Sequence, residues 1–160
     1  MPDWISHIFI GLTICELFNV KKKSLVLIGT LLPDLLIKMH LLELIIPVKG
    51  NKIYWAMLPY HSPAGAVLIT LLIVQLFKFN RLKAFLLVTV GWVSHLVADL
   101  TNKHMLEGGM RLFLPLSWKY MEFGITWAEQ YYINMGVTAL IYLIVVIIKN
   151  VLIAKSEHHQ

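Results

Sequence analysis

Four ionisable side chains lie inside apolar stretches of this 160-residue sequence: His7, Asp34, His95 and Asp99. A charged group at membrane depth is costly, so ionisable residues there usually face a cavity, a partner or an ion. Imidazole nitrogens and carboxylate oxygens are also the ligands that bind zinc and related ions. If the apolar stretches are membrane helices, these residue types predict a buried metal site in a small membrane protein.

The spacing of these residues adds to the prediction. His95 and Asp99 are four residues apart, so they share one face of a helix and can offer two ligands to one ion. Two alternatives are open: Asp34 can pair with Lys38 one turn later, and His95 and Asp99 can form a structural hydrogen bond. Four glycines on the apolar segments can allow the close helix packing that such a site needs: Gly11, Gly29, Gly65 and Gly91.

The composition supports a membrane protein. Only 14% of the residues are charged and the mean hydropathy is +0.72, whereas about 25% of residues are charged in a typical soluble domain. We predict an all-α, polytopic membrane helix bundle with about five transmembrane helices, formed by residues 1–160 as a single domain; a soluble helical bundle is the alternative. The five apolar segments, each near the ~20 residues that span a bilayer, are approximately Trp4–Val20, Ser24–Pro47, Ser62–Phe79, Leu82–Leu100 and Ile133–Ile153.

Basic residues in the connections predict the orientation. They occupy Lys21–Lys23, the stretch 78–83, and positions Lys149 and Lys155 at the end of the last segment. The positive-inside rule places these three regions in the cytoplasm, with the N-terminus outside and the C-terminus inside. The net charge of +5 is therefore a topology signal, and no nucleic-acid partner is expected. The Trp and Tyr residues of Thr101–Tyr132 predict an outer amphipathic loop at the headgroups.

This orientation places every candidate ligand in one layer of the membrane. His7 lies near the outer end of the first segment, Asp34 near the midplane, and His61 at the outer entry of the third segment. His95 and Asp99 lie in the outer half of the fourth segment. The five residues are therefore the predicted ligands of an outward-facing metal site. An interfacial position without a ligand role is the alternative for His7 and His61.

Five motifs occur in a characteristic order along the chain. They are MPDWISH ending at His7, GTLLPD ending at Asp34, HS at His61, GWVSHLVAD ending at Asp99, and GMRLFLPLS ending at Ser117. In this ordered set the sequence resembles the LexA-regulated inner-membrane metal-dependent hydrolase family (YdjM-like). That family is distantly similar to zinc-dependent phospholipase C proteins.

The resemblance implies that the five predicted ligands hold the metal. It also implies a substrate pocket lined by Ser62, Arg111 and Ser117. Two positions depart from the family pattern, because relatives often carry a second aspartate where Leu36 stands and a His-Arg pair where Ala56-Met57 stands. The loss of these ligands favours one metal ion over several, and it leaves an inactive descendant as an alternative.

These inferences lead to an expected function. The site is expected to hold one divalent metal, zinc or else manganese, which lowers the pKa of a bound water towards about 7. Asp99 and Asp34 are the candidate catalytic groups, as ligand or general base, and the Arg111 fork suits a phosphate. We predict a membrane-embedded metal-dependent hydrolase acting on a phosphoester of a membrane lipid or another amphiphile. The alternatives are an ion or small-solute transport protein and a non-catalytic membrane subunit, and the oligomeric state is open.

Overall fold

The computed structural model of the chain describes residues 4–45, 52–78, 80–103 and 110–157. Most of these residues are helical, as the apolar segments predict. The α-helices in the described ranges are α1 (Trp4–Leu17), α2 (Lys23–Lys38), α3 (Lys52–Met57), α4 (Pro63–Ile73), α5 (Arg81–Leu100) and α6 (Tyr131–Glu157).

Helix α1 ends three residues before its predicted end at Val20, in a Schellman motif. Asn19 has a positive φ of 51°. The amide of Val20 donates to the Cys15 carbonyl at 2.9 Å, and the amide of Asn19 donates to the Glu16 carbonyl at 3.4 Å. Asparagine is one of the few residues that adopts this left-handed conformation readily. The motif turns the chain into the lysine-rich connection Lys21–Lys23.

The second and third apolar segments are not single regular helices. After α2 the chain continues as a 3-10 helix, Met39–Leu44, and α4 is followed by a 3-10 turn, Val74–Leu76. The predicted ends of these two segments, Pro47 and Phe79, lie outside the described residues. Helices α2 and α4 are therefore shorter than the ~20 residues of a full span.

A sharp bend joins α3 to α4. The 3-10 turn Leu58–Tyr60 continues α3, and the axes of the two halves differ by 83°. Pro59 and Pro63 flank the bend, and proline both removes a backbone donor and disfavours helix in the preceding residue. Ser62 caps α4, because its Oγ accepts the backbone N–H three residues further on at 3.2 Å. The bend places His61 at its vertex.

Two helices, α5 and α6, are long and apolar enough to cross a membrane, and the bent α3–α4 pair makes a third if it counts as one span. Helix α1 is apolar but has only 14 residues. Helix α2 has 16 residues and contains Pro33 and Asp34. The prediction of a helical chain is thus confirmed, with two or three candidate membrane spans, whereas the number of five transmembrane helices stays a prediction.

Helices α2 and α5 form the central pair, and their backbones touch. A Cβ on Gly29 would lie 2.1 Å from the carbonyl oxygen of Val88, and a Cβ on Gly91 would lie 2.1 Å from that of Val26. A larger residue at either position would force the two helices apart, because these distances are far below van der Waals contact. The prediction of close helix approach at Gly29 and Gly91 is confirmed.

Two apolar clusters pack against this central pair, one at each end. The first joins the starts of α2 and α5 to the end of α4, through Leu25, Val74, Ala84 and Val88. The second joins the end of α5 to the start of α4 and to the following loop, through Ala66, Trp92, Leu96, Leu100 and Met110. Helix α4 therefore runs opposite to α2 and α5. We call the first end the basic end, because Lys23 and Arg81 begin helices there, and the second the loop end.

Helix α6 packs along α1. At the basic end, Lys149 Nζ of α6 lies 2.8 Å from Glu16 Oε2 of α1, and Lys23 donates to the same carboxylate. These ion pairs hold the starts and ends of three helices together. They also bring Lys23 and Lys149, which the positive-inside rule predicts to be cytoplasmic, to one end of the bundle.

The loop after α5 contains short strands and turns. Strand β1 (Asn102–Lys103) pairs in parallel with β2 (Thr126–Trp127), and Asn134 of α6 donates to Asn102 Oδ1 at 2.9 Å. Between residues 101 and 130, the described part of the chain contains no α-helix. Its surface carries exposed apolar side chains, which suits the predicted amphipathic character: Phe113, Leu116, Trp118, Phe123 and Ile125.

Candidate metal centre

Five buried side chains converge near the loop end of the bundle. Helix α1 contributes His7, α2 contributes Asp34, the α3–α4 bend contributes His61, and α5 contributes His95 and Asp99. All five are buried, and the most exposed of them, His61, shows only 8% of its surface. The structure therefore brings together every residue that the sequence predicts as a ligand, although the first and the last, His7 and Asp99, are 92 residues apart in the chain.

Asp99 is the centre of this group. Its Oδ2 lies 3.1 Å from His61 Nε2 and 3.2 Å from His95 Nε2, and its Oδ1 lies 3.3 Å from His7 Nε2. The contact between His95 and Asp99 is the one that their spacing of four residues predicts. Three imidazole Nε2 atoms thus point at one carboxylate.

Asp34 brings a second carboxylate to the group. Its Oδ1 lies 3.8 Å from His95 Nε2, and the Nε2 atoms of His61 and His95 lie 2.9 Å apart. One ligand atom each from Asp34, His61, His95 and Asp99 can be chosen so that all four lie within 4.8 Å of one another. Four nitrogen and oxygen donors are the number that zinc usually takes in proteins. This buried four-residue set can hold a metal ion.

His7 lies beside the four-residue set and outside it. Its ring stacks on that of His95, with centroids 3.9 Å apart and an interplanar angle of 26°. Neither ring nitrogen of His7 has a hydrogen-bond partner among the described residues. This position suits a fifth ligand or a group that orients Asp99, so direct ligation by His7 stays a prediction.

Unpartnered polar atoms test whether a metal fits the group. His7 Nδ1 and Nε2, Asp34 Oδ2 and Asp99 Oδ1 are buried without a hydrogen-bond partner in the described part of the chain. Each such atom costs about 1–3 kcal/mol, and charged groups cost more. A divalent cation would bind the carboxylate oxygens of Asp34 and Asp99 and balance the two carboxylate charges. The donor set therefore fits the predicted metal, and its oxygen and imidazole ligands suit both zinc and manganese.

The backbone of α2 orients His95. His95 Nδ1 lies 2.7 Å from the Thr30 carbonyl oxygen, so Nδ1 carries the proton and Nε2 is left as the ligand atom. A backbone carbonyl is a common partner for the second nitrogen of a metal-binding histidine. The contact depends on the close approach of α2 and α5 at Gly29 and Gly91. A carbonyl has no sequence signature, so the two glycines are the only trace of this contact in the sequence.

A family model for YdjM inner membrane proteins matches residues 1–157 of the chain. The chain belongs to this family. The family description agrees with the apolar helices α5 and α6 and supports the predicted inner-membrane location. No curated protein and no solved structure matches the chain. The similarity to zinc-dependent phospholipase C proteins therefore stays a prediction.

Ser62, which the resemblance to the family assigns to a substrate pocket, is buried next to His61. Its Oγ lies 2.6 Å from the Pro59 carbonyl oxygen and 3.2 Å from that of Leu114, and it also accepts the Gly65 amide. These contacts fix the α3–α4 bend to the loop after α5. Ser62 thus positions His61, and its predicted contact with substrate is not tested by this geometry.

Arg111, the second predicted pocket residue, lies among aromatic rings. Its Cζ is 5.0 Å from the Trp55 ring centroid, 5.1 Å from that of Trp118 and 4.7 Å from that of Tyr120. It also donates to the Tyr120 hydroxyl. Ser117, the third predicted pocket residue, uses its Oγ to accept a backbone N–H two residues on. Cation–π contacts of this kind hold a guanidinium in place, and substrate binding by Arg111 and Ser117 stays a prediction.

Lys38 is a basic side chain at this group that sequence reasoning weighed only as an ion-pair partner. Its Nζ lies 3.8 Å from Asp34 Oδ2 and 4.1 Å from the centroid of the Trp4 ring. The signal was present in the sequence, since Lys38 follows Asp34 by one helical turn. The reach of its side chain between the buried group and the surface became visible only in the structure.

Proposed function

We propose that this YdjM-family protein is a metal-dependent hydrolase with an outward-facing site, acting on a phosphoester of a lipid or another amphiphile. The observation that carries the proposal is the buried set of Asp34, His61, His95 and Asp99. Buried carboxylates and imidazoles with unsatisfied atoms are costly for a structural role alone. A bound metal would give the carboxylates and imidazoles a partner and would make them ligands of a reactive ion.

The side chains of the set have distinct uses in hydrolysis. A bound divalent ion would supply Lewis acidity and a water with a pKa near about 7. His95, held by Thr30, would present Nε2 to the ion, and His61, Asp99 and Asp34 Oδ1 would complete its ligands. Because Asp34 Oδ2 has no hydrogen-bond partner among the described residues, it is the atom that we assign as general base.

The distribution of charge favours a pocket open at one end over a transport pathway. No charged residue and no histidine occurs in the stretches 8–15, 24–33 and 84–94, which connect the basic end to the site on α1, α2 and α5. Ion and proton pathways need polar groups through the membrane. The positive-inside rule then turns the basic end to the cytoplasm and the site outward.

Amphiphilic substrates are favoured by the surface around the site. The loop after α5 exposes Phe113, Leu116 and Trp118, while Trp55 and Tyr120 surround Arg111. Aromatic rings with a basic residue are typical of the headgroup zone of a membrane. A lipid phosphoester would reach the site from the side without leaving the bilayer.

Metal content of the purified protein tests the proposal first, by inductively coupled plasma mass spectrometry. We expect about one zinc or manganese per chain in the wild type and in a Gly136→Ala control, whose added Cβ meets no atom within 4 Å. His95→Ala and Asp34→Ala should both lose the metal. A folded wild type without metal would contradict the metal centre and favour the non-catalytic subunit.

Activity is the second test, on a lipid panel presented in maltoside micelles. We expect the metal-loaded wild type to release a phosphorylated headgroup or a lipid phosphate, and the two metal-free variants to release none. A metal-loaded and folded wild type that releases nothing from the panel would contradict the hydrolase function while leaving the metal site intact.

A further inference from the structure

Lys38 lies between the buried group and the surface. Its side chain is 28% exposed, whereas the five residues of the group are buried. The Trp4 ring holds the ammonium by a cation–π contact at 4.1 Å. A charged nitrogen is thus fixed at the edge of the site and is still reachable from outside.

The ion pair of Lys38 with Asp34 is long, so it accounts for only part of this position. The Nζ of Lys38 lies 3.8 Å from Asp34 Oδ2, which is beyond hydrogen-bonding distance, and Oδ2 has no hydrogen-bond partner in the described ranges. Three rotatable donors on a flexible stem could close this gap. The ammonium lies instead over the Trp4 ring, about as far from the ring centroid as from the carboxylate.

The charges of the group identify a complementary ligand. Asp34 and Asp99 together balance the double charge of a divalent ion, and histidines bind metal as neutral imidazoles. Lys38 then leaves one positive charge at the edge of the site. A singly charged anion that touches both the ion and Lys38 would neutralise the whole assembly. A phosphodiester carries one negative charge, and its two free oxygens can make both contacts.

We propose that Lys38 is a substrate-binding residue that holds the anionic phosphate of a phosphodiester against the metal centre. The proposal rests on the hydrolase function proposed above and specifies the charge of its substrate. It also gives Trp4 a role, because its cation–π contact holds the ammonium away from a closer ion pair with Asp34 when no anion is bound.

Binding of small phosphate esters tests the role of Lys38 without requiring turnover. The zinc-loaded protein in maltoside is titrated with dimethyl phosphate, which is singly charged, and with neutral trimethyl phosphate, by 31P NMR line broadening. Dihexanoyl phosphatidylglycerol, below its micelle concentration, provides the lipid form of the same group. The variants are Lys38→Met, Lys38→Arg and the control Lys103→Met, which removes a lysine held over Trp127 at 4.4 Å. Zinc content is measured in every variant.

We expect Lys38→Met to weaken the binding of dimethyl phosphate and of the lipid by about tenfold or more, the usual effect of losing a charged hydrogen bond. Lys38→Arg and Lys103→Met should bind like the wild type, and trimethyl phosphate should not respond to any variant. Weakening for both ligands would assign the anion site to the phosphodiester itself, whereas weakening for the lipid alone would assign Lys38 to another part of the lipid and would overturn the proposal.

Equal binding of dimethyl phosphate by Lys38→Met and the wild type, with zinc present in both, would overturn the proposal. Loss of zinc from Lys38→Met would also overturn it, because it would make Lys38 a structural partner of Asp34. A wild type that binds dimethyl phosphate through Lys38 but hydrolyses no phosphoester would refute the hydrolase function alone. A folded wild type without zinc would refute both.

Discussion

At the scale of single residues, the candidate metal centre depends on one carboxylate, that of Asp99, which contacts three imidazoles. Asp99 uses Oδ2 for His61 and His95 and Oδ1 for His7, all within 3.3 Å. Because His7 lies outside the four-residue set, its contact with Asp99 places it where it can orient a ligand. Partners of this kind do not touch the ion, but they commonly have a large effect on metal affinity.

Replacing His7 with phenylalanine separates the two roles of this residue. Phenylalanine keeps a ring stacked on His95 but removes the nitrogen that faces Asp99. We expect His7→Phe to retain one metal per chain with an affinity lowered by about 10–100-fold, as for other partners that orient ligands. Competition with a chromophoric chelator measures this affinity. Complete loss of metal from a folded variant would show that His7 is itself a ligand.

The site could be predicted from sequence as far as local spacing and residue type allow. Spacing alone gave the contact between His95 and Asp99, and apolar surroundings singled out His7 and Asp34. The stacking of His7 on His95 and the hydrogen bond from His95 to Thr30 could not be predicted. Both join residues far apart in sequence and depend on how helices rotate about their axes, which no local pattern records.

At the scale of helices, the contact between α2 and α5 sets the geometry of the centre. The two backbones approach closely enough for Gly29 and Gly91 to meet the opposite carbonyl oxygens. That approach places the Thr30 carbonyl 2.7 Å from His95 Nδ1 and brings Asp34 to the same side as Asp99. The helix pair and the metal site therefore share one structural requirement.

Alanine at Gly29 tests this requirement. The new Cβ would lie 2.1 Å from the Val88 carbonyl oxygen, so α2 and α5 must separate. We expect Gly29→Ala to lower the free energy of unfolding by about 1–3 kcal/mol, the usual cost of overpacking, and to reduce metal content. Thermal unfolding in detergent and metal analysis measure the two effects.

Gly136→Ala is the matched control for Gly29→Ala. Its Cβ meets nothing within 4 Å, and alanine is a better helix former than glycine by about 0.5–1 kcal/mol. We expect the control to be as stable as the wild type or slightly more stable, with unchanged metal content. If Gly29→Ala behaved like this control, the tight contact between α2 and α5 would not be required for the site.

Helix boundaries were predicted less well than helix positions. The apolar segments located α1, α5 and α6, although α6 continues beyond Ile153 to Glu157 because Ala154 and Lys155 are good helix formers. Helix α3 lies between the second and third predicted segments, and neither this helix nor its bend of 83° into α4 was predicted. Hydropathy averages over windows longer than α3, so a short helix before a pair of prolines leaves no signal in it.

At the scale of the whole molecule, the charged network of Glu16, Lys23 and Lys149 marks one end of the bundle and the metal centre lies towards the other. From this asymmetry and the positive-inside rule we predict that the lysines face the cytoplasm. The substrate that we propose would then approach from the outer leaflet or the outer aqueous side.

Cysteine labelling tests this direction. The natural Cys15 is fully buried, and Cys15→Ala gives a background free of thiols. Leu116, 94% exposed in the loop after α5, and Lys21, exposed at the basic end, are the two probe positions. We expect a membrane-impermeant maleimide to label Leu116→Cys in intact spheroplasts and Lys21→Cys only after lysis. The reverse pattern would place the site on the cytoplasmic side and contradict the proposed orientation.

The order of the ligands along the chain has a consequence for biosynthesis. Asp34 leaves the ribosome about 60 residues before His95, which corresponds to roughly 3–12 s at about 5–20 residues per second. During that interval α2 must enter the membrane with a carboxylate whose later neighbours do not yet exist. Lys38 emerges directly after Asp34, and it is the lysine that pairs with this carboxylate in the finished fold. The lysine that we assign to substrate would thus first serve as the counter-ion of the nascent helix, before α5 brings His95 to the same carboxylate.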